Sequence, residues 1–373
     1  MSIKINYRQL SIMLFMSFIS LKFLVLPSVM YIHSGNMSWL VTLVIMSLDA
    51  VYAILLIGLM RKNQNKNIHE FIKETLGAFW AKLFLIILSA QFVIEIALGV
   101  KGLEFFVVEN FYNNFNWALY ILPLIGLVGF MMYKGLRNIA RVQEMFFLSI
   151  LVGCIYIAVK SFADIDPLVY LPLFKDGVMP LVKSGFRHMS WFGSSTFLMV
   201  IFGKVDFKNA KKGSAVKFIL FAILLVQLLY FVFYSLFDIT SPTHSFAISD
   251  ISQFSSSKSI IDELSWLVVS LWVVTQAVQI SLYGYALANS IMFIFNTKKT
   301  IPAIIAVDAF IFLLGFVGIV TVNMEQIFFS PAASIITIVA QYIVPLILLF
   351  GYLIKSRKRK PKKSTQKVVP NEI

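Results

Sequence analysis

Two charged residues stand inside stretches of the sequence that are otherwise apolar. Lys22 closes the run Phe18-Ile19-Ser20-Leu21, and Glu95 lies in the middle of a second run. A lysine at the centre of a membrane-spanning helix costs roughly 2.5–3.5 kcal/mol, so Lys22 should face a polar cavity or an acidic partner. Lys22 and Glu95 lie at similar depths and could pair. The pair would be a substrate or coupling-ion site or a structural ion pair, unless Lys22 reaches toward an interface.

A third polar stretch, residues 185–196, forms a weak helix. It reads Gly-Phe-Arg-His-Met-Ser-Trp-Phe-Gly-Ser-Ser-Thr, in which glycine and hydroxyl residues hold the helical ladder poorly. The pattern predicts an interrupted helix, whose free amide groups face an anionic substrate group and whose free carbonyl groups can hold a cation. The candidate binding residues here are Trp191, Gly193 and Ser194. The alternative is that the small residues only allow close helix packing.

Further polar residues lie in two long apolar runs. Gln276 and Gln279 follow Trp272 by one and two turns, and because an amide in hydrocarbon needs a hydrogen-bond partner, both should face inward. They could line a cavity or join helices. Lys101 and Glu104 are three residues apart, on one face of a helix. We expect a local ion pair or a pair of snorkelling side chains rather than a functional pair.

Motifs of common enzymes and metal sites are missing from the sequence. It contains no His-Glu-x-x-His, Gly-x-Ser-x-Gly, phosphate-loop or paired-cysteine motif, and Cys154 is its one cysteine. These patterns are what hydrolases and thiolate metal clusters use. We therefore expect no enzyme activity, no catalytic residues, no cofactor and no metal.

The elements that carry these residues are membrane-spanning helices. Of the 373 residues, 59% are hydrophobic and 13% charged, beyond the range of soluble domains. Each crossing needs about 20 apolar residues. The sequence predicts about ten spans, at residues 9–32, 37–60, 78–108, 117–133, 141–162, 184–203, 216–237, 264–295, 301–322 and 330–354.

The basic residues give the orientation of these spans. The net charge of +14 comes from Lys and Arg residues that lie between apolar runs, rather than on a soluble nucleic-acid-binding face. They concentrate in alternate connections and in the C-terminal tail, and cytoplasmic loops carry such an excess. We predict that both termini are cytoplasmic. Residues 1–354 would form one transmembrane domain in the lipid bilayer, followed by a basic, disordered tail at 355–373.

Several segments together resemble the B subunits of endospore germinant receptors. They are Tyr7-Arg8-Gln9-Leu10, Leu26-Pro27-Ser28, Tyr170-Leu171-Pro172-Leu173, Ser241-Pro242, and Asp262-Glu263-Leu264 with Trp272. No single motif is specific, but their order and spacing cover nearly the whole chain up to the basic tail.

The resemblance implies a fold and a biological setting. That family belongs to the amino acid, polyamine and organocation transporter superfamily, with two inverted five-helix repeats, here about 9–162 and 184–354, and interrupted first and sixth helices. It also implies a location in the spore inner membrane, an amino acid or similar nutrient as ligand, and A and C subunits as partners. The chain departs from the family in having Lys22 in the first interruption and Ser194, not an acid, after Gly193.

These observations lead to one hypothesis and two alternatives. The chain would be a nutrient-sensing receptor subunit with a hydrated binding pocket at mid-membrane. Ser20 and Ser194 would offer hydrogen bonds, Gly193 close approach, Trp191 an apolar wall, and Lys22 with Glu95 an anion or proton-coupling site. Gln276 completes the set of predicted substrate-binding residues. The alternatives are a secondary amino acid transporter, perhaps proton-coupled through Glu95, and a membrane scaffold without a ligand.

Overall fold

The chain is a bundle of membrane-spanning helices. The computed structural model describes residues 4–358 except 24, 65, 112–116, 173, 176, 209, 212, 255–261 and 318–329. In these residues, six helical segments are long and apolar enough to cross a membrane, and two shorter apolar helices accompany them. Interrupted first and sixth spans bring the number of spans in the described chain to ten. The predicted all-α membrane fold is confirmed.

The first half of the chain contains spans one to five. Its helices are α1 (Tyr7–Ile19), α2 (Leu26–Ser34), α3 (Ser38–Lys62), α4 (Ile68–Leu76), α5 (Ala78–Phe111), α6 (Trp117–Lys134) and α7 (Leu136–Lys160). Together α1 and α2 form the first span. The short α4 lies in the connection between the second and third spans and was not predicted.

The second half contains spans six to ten. Its helices are α8 (Met179–Arg187), α9 (Phe197–Val200), α10 (Ser214–Phe237), α11 (Ala247–Gln253), α12 (Asp262–Ile294), α13 (Thr300–Val317), α14 (Pro331–Ile338) and α15 (Val344–Lys358). The sixth span consists of α8, a 3₁₀ turn at Met189–Phe192, and α9. In the tenth span a π-helical turn, Val339–Ile343, joins α14 to α15.

Helix lengths repeat after five spans. The second and seventh spans, α3 and α10, have 25 and 24 residues, and the third and eighth, α5 and α12, have 34 and 33. Both α6 and α13 have 18, and each series follows an interrupted span. This order agrees with two five-helix repeats, whose boundaries at 9–162 and 184–354 stay a prediction.

Both described ends of the chain lie at the same face of the bundle. The strand β1 (Ile5–Asn6) pairs in parallel with β2 (Val205–Asp206), just after the sixth span. Lys4 donates to the Gln64 carbonyl oxygen, and Lys355 donates to the carbonyl oxygen of Glu74 in α4. A shared face requires an even number of crossings, as predicted. The cytoplasmic assignment of this face remains a prediction from the charge pattern.

The predicted tail begins later than expected. Helix α15 continues to Lys358, so residues 355–358 are helical rather than disordered, because the helical ladder extends past the last apolar residues. Residues 359–373 lie outside the described part of the chain.

The interrupted spans are enclosed by the longest helices. Helix α12 packs against α5, α6, α7 and α13, and α1 packs against α10 and α7. Exposed apolar residues such as Leu148 and Val152 cover the outward side of α7, whereas polar residues such as Gln143 and Gln276 are buried. The polar groups therefore meet inside the bundle, at the two interruptions.

Candidate functional site at the helix interruptions

The first interruption separates α1 from α2 by a short non-helical segment. Pro27 stands in the first turn of α2, a position where its missing N–H costs no helical bond. Two tyrosines of α10 bind carbonyl groups on either side of the interruption: Tyr230 donates to the Lys22 carbonyl oxygen at 2.8 Å, and Tyr234 donates to that of Pro27 in α2 at 2.9 Å. Sequence reasoning missed both tyrosines, because an aromatic residue in an apolar span usually signals packing.

The two glutamines of α12 also bind this region. Gln276 donates to the Ser20 carbonyl oxygen, so the backbone of Ser20 makes this bond. Gln279 donates to the Ser17 hydroxyl at 2.9 Å and accepts from Gln143 of α7 at 3.3 Å. Both glutamines face inward, as predicted, and hold three spans together.

The second interruption covers residues 189–196 in the sixth span. Gln341, in the π-helical turn of the tenth span, donates to the Phe192 carbonyl oxygen at 2.7 Å. The Thr196 hydroxyl donates to the Gly193 carbonyl oxygen at 2.7 Å. Side chains thus replace the helical bonds that this segment lacks, as a buried backbone requires.

Lys22 connects the two interruptions. Its Nζ donates to the Trp191 carbonyl oxygen and to the Ser194 hydroxyl, each at 2.7 Å, and lies 5.1 Å from the centroid of the Phe192 ring. Only 1% of the side chain's surface is exposed. The ammonium group is therefore inside the protein, with two hydrogen bonds and a cation–π contact replacing its water.

Glu95 lies against the backbone of Gly193. The carboxylate accepts from Gln91 at 3.0 Å, and its Oε1 lies in the space where a side chain of residue 193 would begin. A Cβ atom on Gly193 would meet Oε1 of Glu95 and Nε2 of Gln91. Glycine is therefore needed here for the close approach of the Glu95 carboxylate, and the close approach of a ligand at this position stays a prediction.

Lys22 and Glu95 act on the same interruption without touching each other. Both residues belong to the described part of the chain, and the ion pairs found there do not include this one. The ammonium contacts a carbonyl group, and the carboxylate contacts the backbone of Gly193, two residues later. The predicted pairing is therefore indirect, through the backbone of residues 191–193.

Asp49 is a buried acid that sequence reasoning missed. It lies in the middle of α3 and is fully buried; its Oδ1 accepts from the Tyr342 hydroxyl and from the Gln341 amide. Because Gln341 also binds the Phe192 carbonyl oxygen, Asp49 joins the second span to the second interruption. A single acid inside the apolar run 37–60 was the signal that could have identified it.

Four other residues singled out in the sequence are Lys101, Glu104, Trp272 and Trp191. Lys101 and Glu104 form an ion pair at 2.6 Å, as expected from their spacing. Trp272 packs on Phe23, with ring centroids 5.4 Å apart, beside the first interruption. Trp191 is buried, but its carbonyl oxygen, rather than an apolar wall, is what meets Lys22.

A cavity of about 920 Å³ lies between α2, α8 and α14, at the face opposite the chain ends. Its lining includes His33, Lys183, Arg187, Ser334 and Ile338. Arg187 precedes Trp191 by one turn, so the cavity ends close to the second interruption. The predicted binding residues do not line it. All seven are instead packed in the interior: Ser20, Lys22, Glu95, Trp191, Gly193, Ser194 and Gln276.

A ten-span bundle with interrupted first and sixth spans is the architecture of a permease-like membrane protein. Residues 4–326 match the spore permease family, described as spore germination protein, and the chain belongs to that family. No curated protein matches the chain. The resemblance seen in the sequence is thereby confirmed, and with it a germination-related role in a membrane.

Proposed function

We propose that the chain is the nutrient-sensing membrane subunit of a spore germination receptor. A small nutrient, such as an amino acid, binds at the interruptions of the first and sixth spans and favours one conformation of the bundle over another. The A and C subunits of the receptor sense this change in the spore inner membrane. The observation that carries the proposal is the contact between the Lys22 ammonium and the Trp191 carbonyl oxygen, which joins the two interruptions.

The contacts around Lys22 support a site that can change state. Its partners are a backbone carbonyl group and the Ser194 hydroxyl, which a ligand ammonium group can bind equally well. The cavity bordered by Arg187 and Lys183 lies on the opposite face, within one helical turn of Trp191. Entry of a ligand would separate α1 from the sixth span and so move the helices that they contact.

Nutrient binding is tested by the thermal stability of the purified protein. A ligand that binds only the folded protein raises its stability in proportion to the logarithm of its concentration. We expect at least one of the common amino acids to raise the melting temperature of the wild type, and Lys22→Met to change the ligand concentration that this rise requires. If no amino acid, sugar or nucleoside has an effect, the chain is a scaffold without a ligand.

The interrupted spans also favour a second candidate, a secondary amino acid transporter. Transporters carry their substrates between such interruptions, and their two repeats rock around the site. Proteoliposomes distinguish the two functions: a transporter accumulates a labelled amino acid inside the vesicles, while a sensor binds it without accumulation. If a proton gradient drives accumulation and Glu95→Gln removes that dependence, Glu95 couples the proton.

A further inference from the structure

The second interruption presents polar backbone groups to two charged side chains. The Trp191 carbonyl oxygen receives the Lys22 ammonium group, and the Glu95 carboxylate lies against the backbone of Gly193. The remaining carbonyl groups of this turn, of Phe192 and Gly193, have the neutral partners Gln341 and Thr196. One ammonium and one carboxylate therefore lie on the same short piece of backbone.

These two groups are also the charged groups of an amino acid. An ammonium group and a carboxylate in a small zwitterion would be satisfied by a free carbonyl oxygen and a free N–H, the groups that an interrupted helix offers. In this chain, the Lys22 ammonium group binds the carbonyl oxygen of Trp191, and the Glu95 carboxylate fills the space beside Gly193. Lys22 lies in the first span, between α1 and α2, and Glu95 lies in α5 of the third span. Their exposed fractions are 1% and 2%, so water does not compete for these contacts.

We propose that Lys22 and Glu95 together form an internal substitute for a zwitterionic ligand, and that they hold the second interruption closed until a ligand displaces them. This inference rests on the proposed function for the ligand's role in the receptor. The ligand class that follows is a small zwitterion, whose ammonium group replaces that of Lys22 and whose carboxylate replaces that of Glu95.

A purely structural ion pair has a different geometry. Two opposite charges in a low-dielectric interior gain most from direct contact, as Lys101 and Glu104 show at 2.6 Å. Lys22 and Glu95, both among the described residues, instead bind the backbone at separate points. Gly193 fits the same account, because any side chain there would displace the Glu95 carboxylate.

Chemical rescue tests the cationic half of the substitute. Lys22→Ala removes the groups beyond Cβ, which together have the shape of n-propylammonium. We expect n-propylammonium chloride to raise the melting temperature of purified Lys22→Ala by about 3 °C or more, since it binds only the folded form. The wild type should not respond, because its ammonium position is filled. Neither should Lys22→Met, because its side chain occupies the space.

Two controls separate rescue from general solvent effects. Potassium chloride at equal ionic strength and n-propanol at equal concentration should leave Lys22→Ala unchanged. A rise of the same size in the wild type, or no rise in folded Lys22→Ala, overturns the proposal. If Lys22→Ala is recovered folded only when the amine is present during solubilisation, that dependence is itself the expected rescue.

The anionic half provides a second variant. Glu95→Ala removes a CH₂–COO⁻ group, so acetate should stabilise this variant but not the wild type. In the double variant Lys22→Ala/Glu95→Ala, we expect alanine to stabilise more than n-propylammonium or acetate at equal concentration. Absence of rescue in both Lys22→Ala and Glu95→Ala overturns the proposal. The same conclusion holds if neither variant is obtained folded in the presence of its probe, n-propylammonium or acetate.

Rescue of the variants and the effect of nutrients on the wild type are independent results, so failure of this inference can be distinguished from failure of the proposed function. Rescue of the variants with no nutrient effect on the wild type supports the internal substitute and removes nutrient sensing at this site. A nutrient effect on the wild type without rescue of the variants supports nutrient sensing and overturns the internal substitute.

Discussion

The ammonium group of Lys22 lies 2.7 Å from the carbonyl oxygen of Trp191, so one side chain joins the interruptions of the first and sixth spans. The same segment of backbone contacts Glu95 at Gly193 and binds Gln341 through Phe192. Three spans, the first, third and tenth, therefore converge on three consecutive residues of the sixth. A change at any of these contacts should therefore alter how these spans pack against one another.

Gly193→Ala should destabilise the protein. The backbone at Gly193 has φ −71°, which alanine adopts freely, so the only cost is the collision of Cβ with Glu95 and Gln91. Overpacking of this kind costs about 1–3 kcal/mol. A thermal unfolding experiment on the purified variant should show a lower melting temperature, and reconstituted receptors should lose their nutrient response.

Gly58→Ala is the matched control. Among the described residues, none has an atom within 4 Å of a Cβ added at this position in α3, so the change should be neutral or slightly stabilising. In the background Glu95→Ala, Gly193→Ala should cost less than in the wild type, because the colliding carboxylate is absent. Equal costs in both backgrounds would show that the collision is not the cause.

Asp49→Leu should destabilise the link between the second and tenth spans. It leaves the Gln341 amide and the Tyr342 hydroxyl without the acceptor they share, and an unsatisfied buried donor costs about 1–3 kcal/mol. Asp49→Asn keeps an acceptor oxygen and should retain most of the stability. Melting temperatures of the two purified variants make the comparison.

A double-mutant cycle isolates the Asp49 contact. Tyr342→Phe removes one of the two donors, so in the Asp49→Leu background it should cost less than in the wild type. We expect a coupling free energy of about 0.5–3 kcal/mol, the range for residues in direct contact. Additive effects would mean that the hydrogen bond contributes nothing measurable.

Tyr230→Phe should weaken the first interruption without changing its packing. The variant loses only the hydroxyl that binds the Lys22 carbonyl oxygen, which leaves a buried acceptor unsatisfied at about 1–3 kcal/mol. Tyr133 is 63% exposed, so Tyr133→Phe is a control expected to have no effect. Equal melting temperatures for the two variants would contradict a role for Tyr230 in holding the interruption.

The sequence was sufficient for the spans but not for all of the polar contacts inside them. Twenty-residue apolar runs and basic connections depend on local composition, so the ten spans and the weak helix at 185–196 were predictable. Lys22 and Glu95 were identifiable because a charge in hydrocarbon is costly. Which backbone group each one meets depends on how distant spans are packed, and sequence alone carries no such information.

Asp49 and Tyr230 are two residues whose roles could not be predicted from the sequence. Asp49 carried the same kind of signal as Glu95, an acid inside an apolar run, but its partners Gln341 and Tyr342 lie nearly three hundred residues away in the chain. Tyr230 carried no signal, because fourteen tyrosines occur in the sequence and only tertiary structure selects the one whose hydroxyl meets an interruption. Residues that satisfy a broken helix are therefore found only in three dimensions.

The orientation of the chain in the membrane gives a last prediction. A Cys154→Ser background has no other thiol, so single cysteines report exposure to a membrane-impermeant reagent. Lys183 and Lys298 are exposed at opposite faces of the bundle. If the basic face is cytoplasmic, intact cells should be labelled at Lys183→Cys, and Lys298→Cys should be labelled only after permeabilisation. The opposite pattern would place the cavity bordered by Lys183 in the cytoplasm, so that nutrients outside the membrane could not reach it by this route.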